Sequence, residues 1–216
     1  MDERRPQPRP EAGGELRPEP GPERRPVLTP ELREDAERIK ARYPAGRERS
    51  AIMPLLYLVQ SVEGRVTRDG LAEVADLLGI TTAEVEAVAT FYTMIRLAPT
   101  GRHVISVCTN LPCALRGARD VLEAAQRAAG VAEGADVSDD GLFTVHEEEC
   151  LAACDAAPVL TINFVNYDRT TPERVTELID ALRRGEEPAP SRGAFPGDFR
   201  RMSRALAGLP PEELVP

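Results

Sequence analysis

The sequence predicts an α+β chain, a bundle of helices followed by a smaller unit in which strands and helices alternate. Three observations carry that expectation. Between Thr29 and Met94, apolar residues recur at helical spacing in four successive segments, three of them behind a threonine in the cap position. After Pro99-Thr-Gly101 the pattern changes to short apolar runs of strand length. All four cysteines then fall in this second region, as two close pairs, each just behind a strand-like run.

The helical region starts at Thr29-Pro30-Glu31. A hydroxyl sits at the N-cap, proline takes the first helical position, and an acid occupies the first turn. This helix is expected to run to about Arg42, ahead of Pro44 and Gly46. The next places Leu55, Leu58, Val59 and Val62 on one face, so Pro54 must lie in its first turn or kink it. Thr67 caps a third helix that buries Leu71, Val74, Ala75 and Leu78 and stops at Gly79. Thr81-Thr-Ala-Glu84 is a capping box, and its helix is expected to bury Val85, Val88, Ala89 and Tyr92.

Val104–Val107 reads as a buried strand and leads into Cys108-Thr-Asn-Leu-Pro-Cys113. A helix follows over roughly Ala118–Ala129. A strand through Leu142–His146 then leads into Cys150-Leu-Ala-Ala-Cys154. Pro158–Ile162 is a further strand, turning near Asn163–Asn166 into a short partner at Tyr167–Thr170. Thr171-Pro172-Glu173 repeats the threonine-proline start, and the last helix presents Val175, Leu178, Ile179 and Leu182 until Gly185. The order is βαβββα.

The expected organisation is a disordered tail over 1–28, a helical bundle over 29–98, the βα unit over 99–186 and a C-terminal tail over 187–216. Residues 1–28 mix Pro, Glu, Arg and Gly with few apolar side chains and cannot bury enough surface to offset their ordering entropy. In the C-terminal segment Phe195, Phe199, Met202, Leu206 and Leu209 are scattered apolar anchors. They suit either a partner's groove or a tail, and a tail is the expectation.

A hydrophobic content of 42% supports a core, and with aromatics at 4% and no tryptophan that core must be aliphatic. The net charge of −9 argues against nucleic-acid binding, which needs a basic footprint. No apolar run approaches the ~18 residues of a membrane span, so no membrane insertion is expected. Met1-Asp-Glu-Arg-Arg-Pro lacks the apolar segment of a secretory signal, and a cytoplasmic address is expected.

If the two cysteine-bearing strands neighbour each other, both loops emerge at one sheet edge and four thiolates converge. That is the ligand set of a [2Fe–2S] cluster, each iron taking two thiolates. A structural zinc site uses the same convergence, though its knuckles usually have C-x2-C spacing, which neither pair shows. Disulfides need an oxidising compartment. Unrelated buried thiols are the remaining reading. Thiolate softness alone does not choose between iron–sulfur and zinc.

The flanking residues go further. Val107-Cys-Thr-Asn-Leu-Pro-Cys-Ala-Leu-Arg-Gly117 and Glu149-Cys-Leu-Ala-Ala-Cys-Asp-Ala-Ala-Pro158 resemble the thioredoxin-like [2Fe–2S] ferredoxins. The nearest branch is that of the 24-kDa subunits of NADH:quinone oxidoreductase, respiratory complex I. Ala51–Gln60 and Val88–Met94 look like the same family, and the resemblance spans about Thr29 to Arg184. It implies a thioredoxin-like α/β domain whose [2Fe–2S] cluster is held by Cys108, Cys113, Cys150 and Cys154. It also implies a flavoprotein partner that carries FMN and oxidises NADH, contacts with other peripheral-arm subunits, and a place at the inner face of the cell membrane through the complex. The matching subunit of an NAD-linked hydrogenase or formate dehydrogenase shares the pattern. A departure is Ala152-Ala153, where many members have glycine; alanine fits if φ stays negative.

Backbone N–H groups after Cys108 and Cys150 are the expected donors to sulfur. Glu147-Glu148-Glu149 should oppose an added electron and lower the potential, with Arg116 and Arg119 as offsets, unless the acids are simply a solvated face. Cys108 and Cys113 do not have the C-x-x-C spacing of a dithiol enzyme. His103 and His146 are the only histidines and read as satisfied residues on or beside strands. There is no Ser–His–Asp set, P-loop or G-x-G-x-x-G, so NADH binding and hydride chemistry are not expected of this chain alone.

Overall fold

A computed structural model describes residues 24–132, 134–194 and 197–211. Its helices are α1 (Pro30–Lys40), α2 (Ile52–Glu63), α3 (Arg68–Leu78), α4 (Thr82–Phe91), α5 (Leu111–Ala114), α6 (Ala118–Ala129), α7 (Pro172–Arg183) and α8 (Phe199–Leu206). The strands are β1 (His103–Cys108), β2 (Phe143–Glu148), β3 (Leu160–Ile162) and β4 (Val165–Tyr167).

Local chemistry sets most helix starts. The side-chain oxygens of Thr29, Thr67, Thr81 and Thr171 each accept a backbone N–H from the first turn ahead of them. At Thr81 the Glu84 carboxylate returns the bond and completes the capping box. Pro54 falls in the first turn of α2. Leu55, Leu56, Leu58 and Val59 are fully buried at the centre of an aliphatic core shared by α1–α4. Of the α4 residues expected inside, Val85 and Ala89 are buried, whereas Tyr92 is exposed. The helix ends at Phe91, and the extended backbone at Tyr92 swings that ring outward.

The sheet order is β2-β1-β3-β4, with β1 and β2 parallel and the other pairs antiparallel. Ile105, Val107, Phe143, Val145, Leu160 and Ile162 form one core with α6 and α7. The alternating positions Ser106, Cys108, His146, Glu148 and Thr161 lie on the other face. The β3–β4 hairpin turns on two residues, Asn163 and Phe164, both with positive φ. Two left-handed residues are what such a turn needs to match the strand twist. The last strand therefore begins at Val165, two residues before the expected start. The Asn163 Oδ1 accepts the Val104 N–H at 2.8 Å, and its amide donates to the Gly197 carbonyl at 2.9 Å. Both sheet edges are covered. The Ser191 N–H bonds Asn166 on β4, and the Ser138 N–H bonds Phe143 on β2.

The terminal segments depart from expectation. Residues 1–23 lie outside the described residues, but Val27 and Leu28 are buried, and both of their N–H groups donate to the Glu73 carboxylate at 2.8 and 3.0 Å. At the other end α8 packs along α2, and Phe199 is fully buried. Gln60 donates to the Ser203 hydroxyl at 3.1 Å, and Arg204 pairs with Asp35 at 2.9 Å. Within the segment expected as a tail, the stretch from Phe199 to Leu209 thus joins the core. It holds its place through polar partners on α1 and α2; Phe195 lies outside the described residues. No described helix is long and apolar enough to cross a membrane.

Candidate metal centre

The parallel pairing of β1 with β2 brings the two cysteine loops to one edge. Cys108 ends β1 opposite Glu148, and Cys150 follows two residues after the end of β2. The Thr109 N–H donates to the Glu148 carbonyl at 3.0 Å, which ties the two loop entries together. Asn110 then caps α5, a single turn that carries Cys113 inward. All four cysteines are free; Cys108 and Cys113 are buried, and Cys150 and Cys154 are exposed.

The thiols sit as two pairs that sense each other. The Cys113 thiol is pushed up to about 11, first by burial and then by its hydrogen bond to Cys108, with the Cys108 and Cys154 charges adding to the shift. Cys154 is also raised, first by desolvation, then by Cys150, its pair partner, and by Cys108 across the gap. Like charges cannot accumulate on these sulfurs without a cation, so loading a metal must displace protons. Among the described residues no three His, Cys, Asp or Glu side chains converge as one metal ion needs. Four thiols in two neighbouring pairs match the ligand number of a two-iron centre, two thiolates per iron.

Donors to sulfur come from two places. The Ala152 N–H reaches Cys150 Sγ at 3.4 Å, as expected for the second loop. The Val159 N–H, at the entry to β3, holds the Cys113 thiol down against the larger upward causes. The first loop contributes less than expected because its N–H groups are used elsewhere. Leu111 donates to the Asn110 side chain, Ala114 to Asn110 O, and Leu115 to Leu111 O. Ala152 has φ 55, so the alanine stands in the left-handed region and the expected negative φ is not met.

The three acids before Cys150 point different ways. Glu147 meets Thr109 and lies 3.9 Å from Arg119 on α6, whereas Arg116 makes no ion pair among the described residues. Glu148 turns to the opposite face, its carboxylate 3.7 Å from His146 Nε2. Glu149 is exposed. His103 and His146 are both depressed to about 4, mainly by burial. A cavity of about 270 Å³ opens beside Cys150, with Thr93, Met94, Ser106 and Thr161 in its wall. A larger recess of about 660 Å³ between the ends of α1 and α3 contains no cysteine, so size does not mark the site.

The sequence model described as thioredoxin-like [2Fe-2S] ferredoxin matches residues 36–183. The chain is similar to an NADH-quinone oxidoreductase subunit from Mycobacterium tuberculosis, with 46% identity over 179 residues, 83% of this chain and 70% of that one. It is similar to NADH-quinone oxidoreductase subunit 2 of Thermus thermophilus, with 39% identity over 151 residues, 69% of this chain and 83% of that one. Among solved structures it is similar to the thioredoxin-like [2Fe-2S] ferredoxin from Aquifex aeolicus, at 24% identity and a TM-score of 0.34, covering 42% of this chain and 92% of that one. Both cysteine loops lie inside the matched span, and this chain belongs to the thioredoxin-like [2Fe-2S] ferredoxin family.

Proposed function

We propose that this chain is the electron-transfer subunit of an NADH:quinone oxidoreductase, with Cys108, Cys113, Cys150 and Cys154 as the ligands of its [2Fe–2S] cluster. The observation that carries the reading is the grouping of four unbridged thiols, two and two, at one sheet edge. A cluster of this type stores and releases one electron at a time. The protein's part is to hold and shield the sulfurs. Cys108 and Cys113 sit in an apolar pocket with Ala118 and Ala157, which excludes water from that side. The N–H groups of Ala152 and Val159 offset negative charge on sulfur.

Cys150 and Cys154 are on the open side, where electrons would enter and leave. Leu111 and Leu115, on and just after α5, are 68% and 79% exposed. Phe91, next to the Thr93-Met94 wall of the Cys150 cavity, is 77% exposed. Exposed apolar groups around a redox site suit a docking face, and the partner that fits is the flavoprotein subunit carrying FMN and oxidising NADH. The complex would hold the chain on the cytoplasmic side of the cell membrane, among the other peripheral-arm subunits.

The test is EPR of the dithionite-reduced protein together with iron, sulfide and zinc analysis. A one-electron [2Fe–2S] signal is expected, weakened or altered by each of the four Cys→Ser substitutions. Reduction by NADH should require the flavoprotein subunit. A colourless protein containing zinc, or spectra unchanged in all four variants, refutes the assignment.

A further inference from the structure

The sheet face turned away from α6 and α7 carries a charged group that the cysteine motifs do not reveal. Ser106 on β1 is in register with His146 on β2, and Cys108 is in register with Glu148. These four side chains share one face, because strand residues two apart point the same way. Arg96 approaches that face from the segment after α4. Its N–H donates to Gln60 Oε1 at 2.7 Å, and its carbonyl accepts the Val66 N–H at 2.7 Å. Gln60 is fully buried and also binds the Met94 carbonyl, so the backbone that presents Arg96 is fixed.

The guanidinium reaches His146 Nε2 at 2.5 Å, and the Ser106 hydroxyl meets the same nitrogen at 3.0 Å. A guanidinium only donates, so Nε2 must be an acceptor and the imidazole is neutral. The positive charge of the group therefore belongs to Arg96. Its Nε is sealed from solvent, and burial is the main influence lowering its pKa, opposed by the attraction of Glu148 and Asp136. Arg96 thus lies level with the Ser106–His146 pair. That is one strand repeat, roughly 7 Å along the chain, below the Cys108–Glu148 pair.

We propose that Arg96 is the residue that sets the electrostatic potential on the inner side of the cysteine site: a partly buried cation, seated on neutral His146, that offsets Glu148 and favours the reduced cluster. The inference rests on the reading that the four thiols hold a [2Fe–2S] cluster. Charges in a shielded interior interact more strongly than charges across solvent, which salt screens. Glu147, by contrast, is half exposed and has Arg119 nearby, and Glu149 faces solvent. The adjacent acids of the motif therefore matter less to the potential than one arginine more than fifty residues earlier.

The experiment is an EPR-monitored redox titration of the loaded full-length protein, wild type against Arg96→Gln and Arg96→Lys, at low and high salt. Iron and sulfide content are measured on each sample. Arg96→Gln should move the midpoint to a more negative potential, and high salt should not abolish the shift. Arg96→Lys should stay close to wild type. A Glu147→Gln/Glu149→Gln double variant should differ from wild type only at low salt. A fully loaded Arg96→Gln protein with an unchanged midpoint overturns the proposal while leaving the ligand assignment standing. So does an Arg96→Lys midpoint displaced as far as that of Arg96→Gln, since shape rather than charge would then be the cause. If Arg96→Gln and Arg96→Lys both fail to fold, Arg96 is a folding residue and the proposal is also overturned. Absence of a [2Fe–2S] signal from the wild type would instead defeat the underlying reading.

Discussion

Replacing Ala152 by glycine should stabilise the metal-free chain, and the same change one residue later should weaken it. Ala152 has φ 55, and a non-glycine residue in that region costs roughly 1–2 kcal/mol. Glycine removes this cost but adds about 0.5–1 kcal/mol of unfolded-state freedom. The Ala152 methyl is exposed, so little packing is lost, and a net gain of about 0.5–1 kcal/mol follows. Ala153 has φ −124 and is buried against Ala156 and Val159. Glycine there relieves no strain, loses one buried methyl worth about 0.8 kcal/mol, and adds the same unfolded-state freedom. The two variants should differ by about 2 kcal/mol, read as a separation of urea midpoints at constant m-value. An Ala152→Gly protein no more stable than wild type, or an Ala153→Gly protein as stable, would show that the left-handed geometry is not what loads this loop.

Gly101→Ala should destabilise the sheet unit by at least about 1–3 kcal/mol. A Cβ there would lie 2.5 Å from the Phe143 carbonyl carbon, which is backbone and cannot swing aside; thermal melts would measure the loss. Arg204→Leu removes the buried cation of Asp35, 5% exposed, and leaves that carboxylate the more exposed Arg38, so it should cost about 1–3 kcal/mol, whereas adding Asp35→Leu should restore most of it. Acid should destabilise the protein through its two histidines. Both have folded pKa values of about 4, below the unfolded value of about 6.5, so the unfolded chain binds more protons between those limits. Stability is therefore complete above about pH 6.5 and is lost as pH falls towards 4, by about 2 kcal/mol per histidine at pH 5. His146→Gln should flatten that part of the stability–pH curve.

What could be read from the sequence was the chemistry that acts over three or four residues. The threonine caps at positions 29, 67, 81 and 171 all hold their helices, because the donor and acceptor lie one turn apart. The features that escaped depend on distant partners. α8 buries Phe199, Ser203 and Arg204, while Leu206, one of the apolar anchors, is 36% exposed. Two of its inward residues are polar, so an apolar stripe points to the wrong face. Local carbonyls take part of their hydrogen bonding, Phe199 O for Ser203 and Pro210 O for Arg204, and Gln60 and Asp35, far away in sequence, supply further partners. Val27 and Leu28 were hidden for a similar reason, since the acceptor for their N–H groups is a buried glutamate on α3. Asn163 is a usual residue for a left-handed turn position, but Phe164 is not, and that placed the hairpin two residues late.

The acid triplet shows how little separated the legible part of the site from the rest. The apolar run suggests a strand from Leu142 to His146, but β2 continues to Glu148 because its backbone keeps pairing with β1 up to Cys108. Two more residues of strand are enough to sort the acids by face. Glu147 follows Phe143 and Val145 towards α6 and finds Arg119; Glu148 follows His146 to the side where Arg96 lies. Three like charges in a row thus become two outward groups that water and salt screen and one inward group with a cation near it. Charge counted along the chain implies a site that resists an electron. Charge counted by strand face gives the opposite expectation under the Arg96 proposal, because Glu148 and Arg96 lie near the same nitrogen of His146.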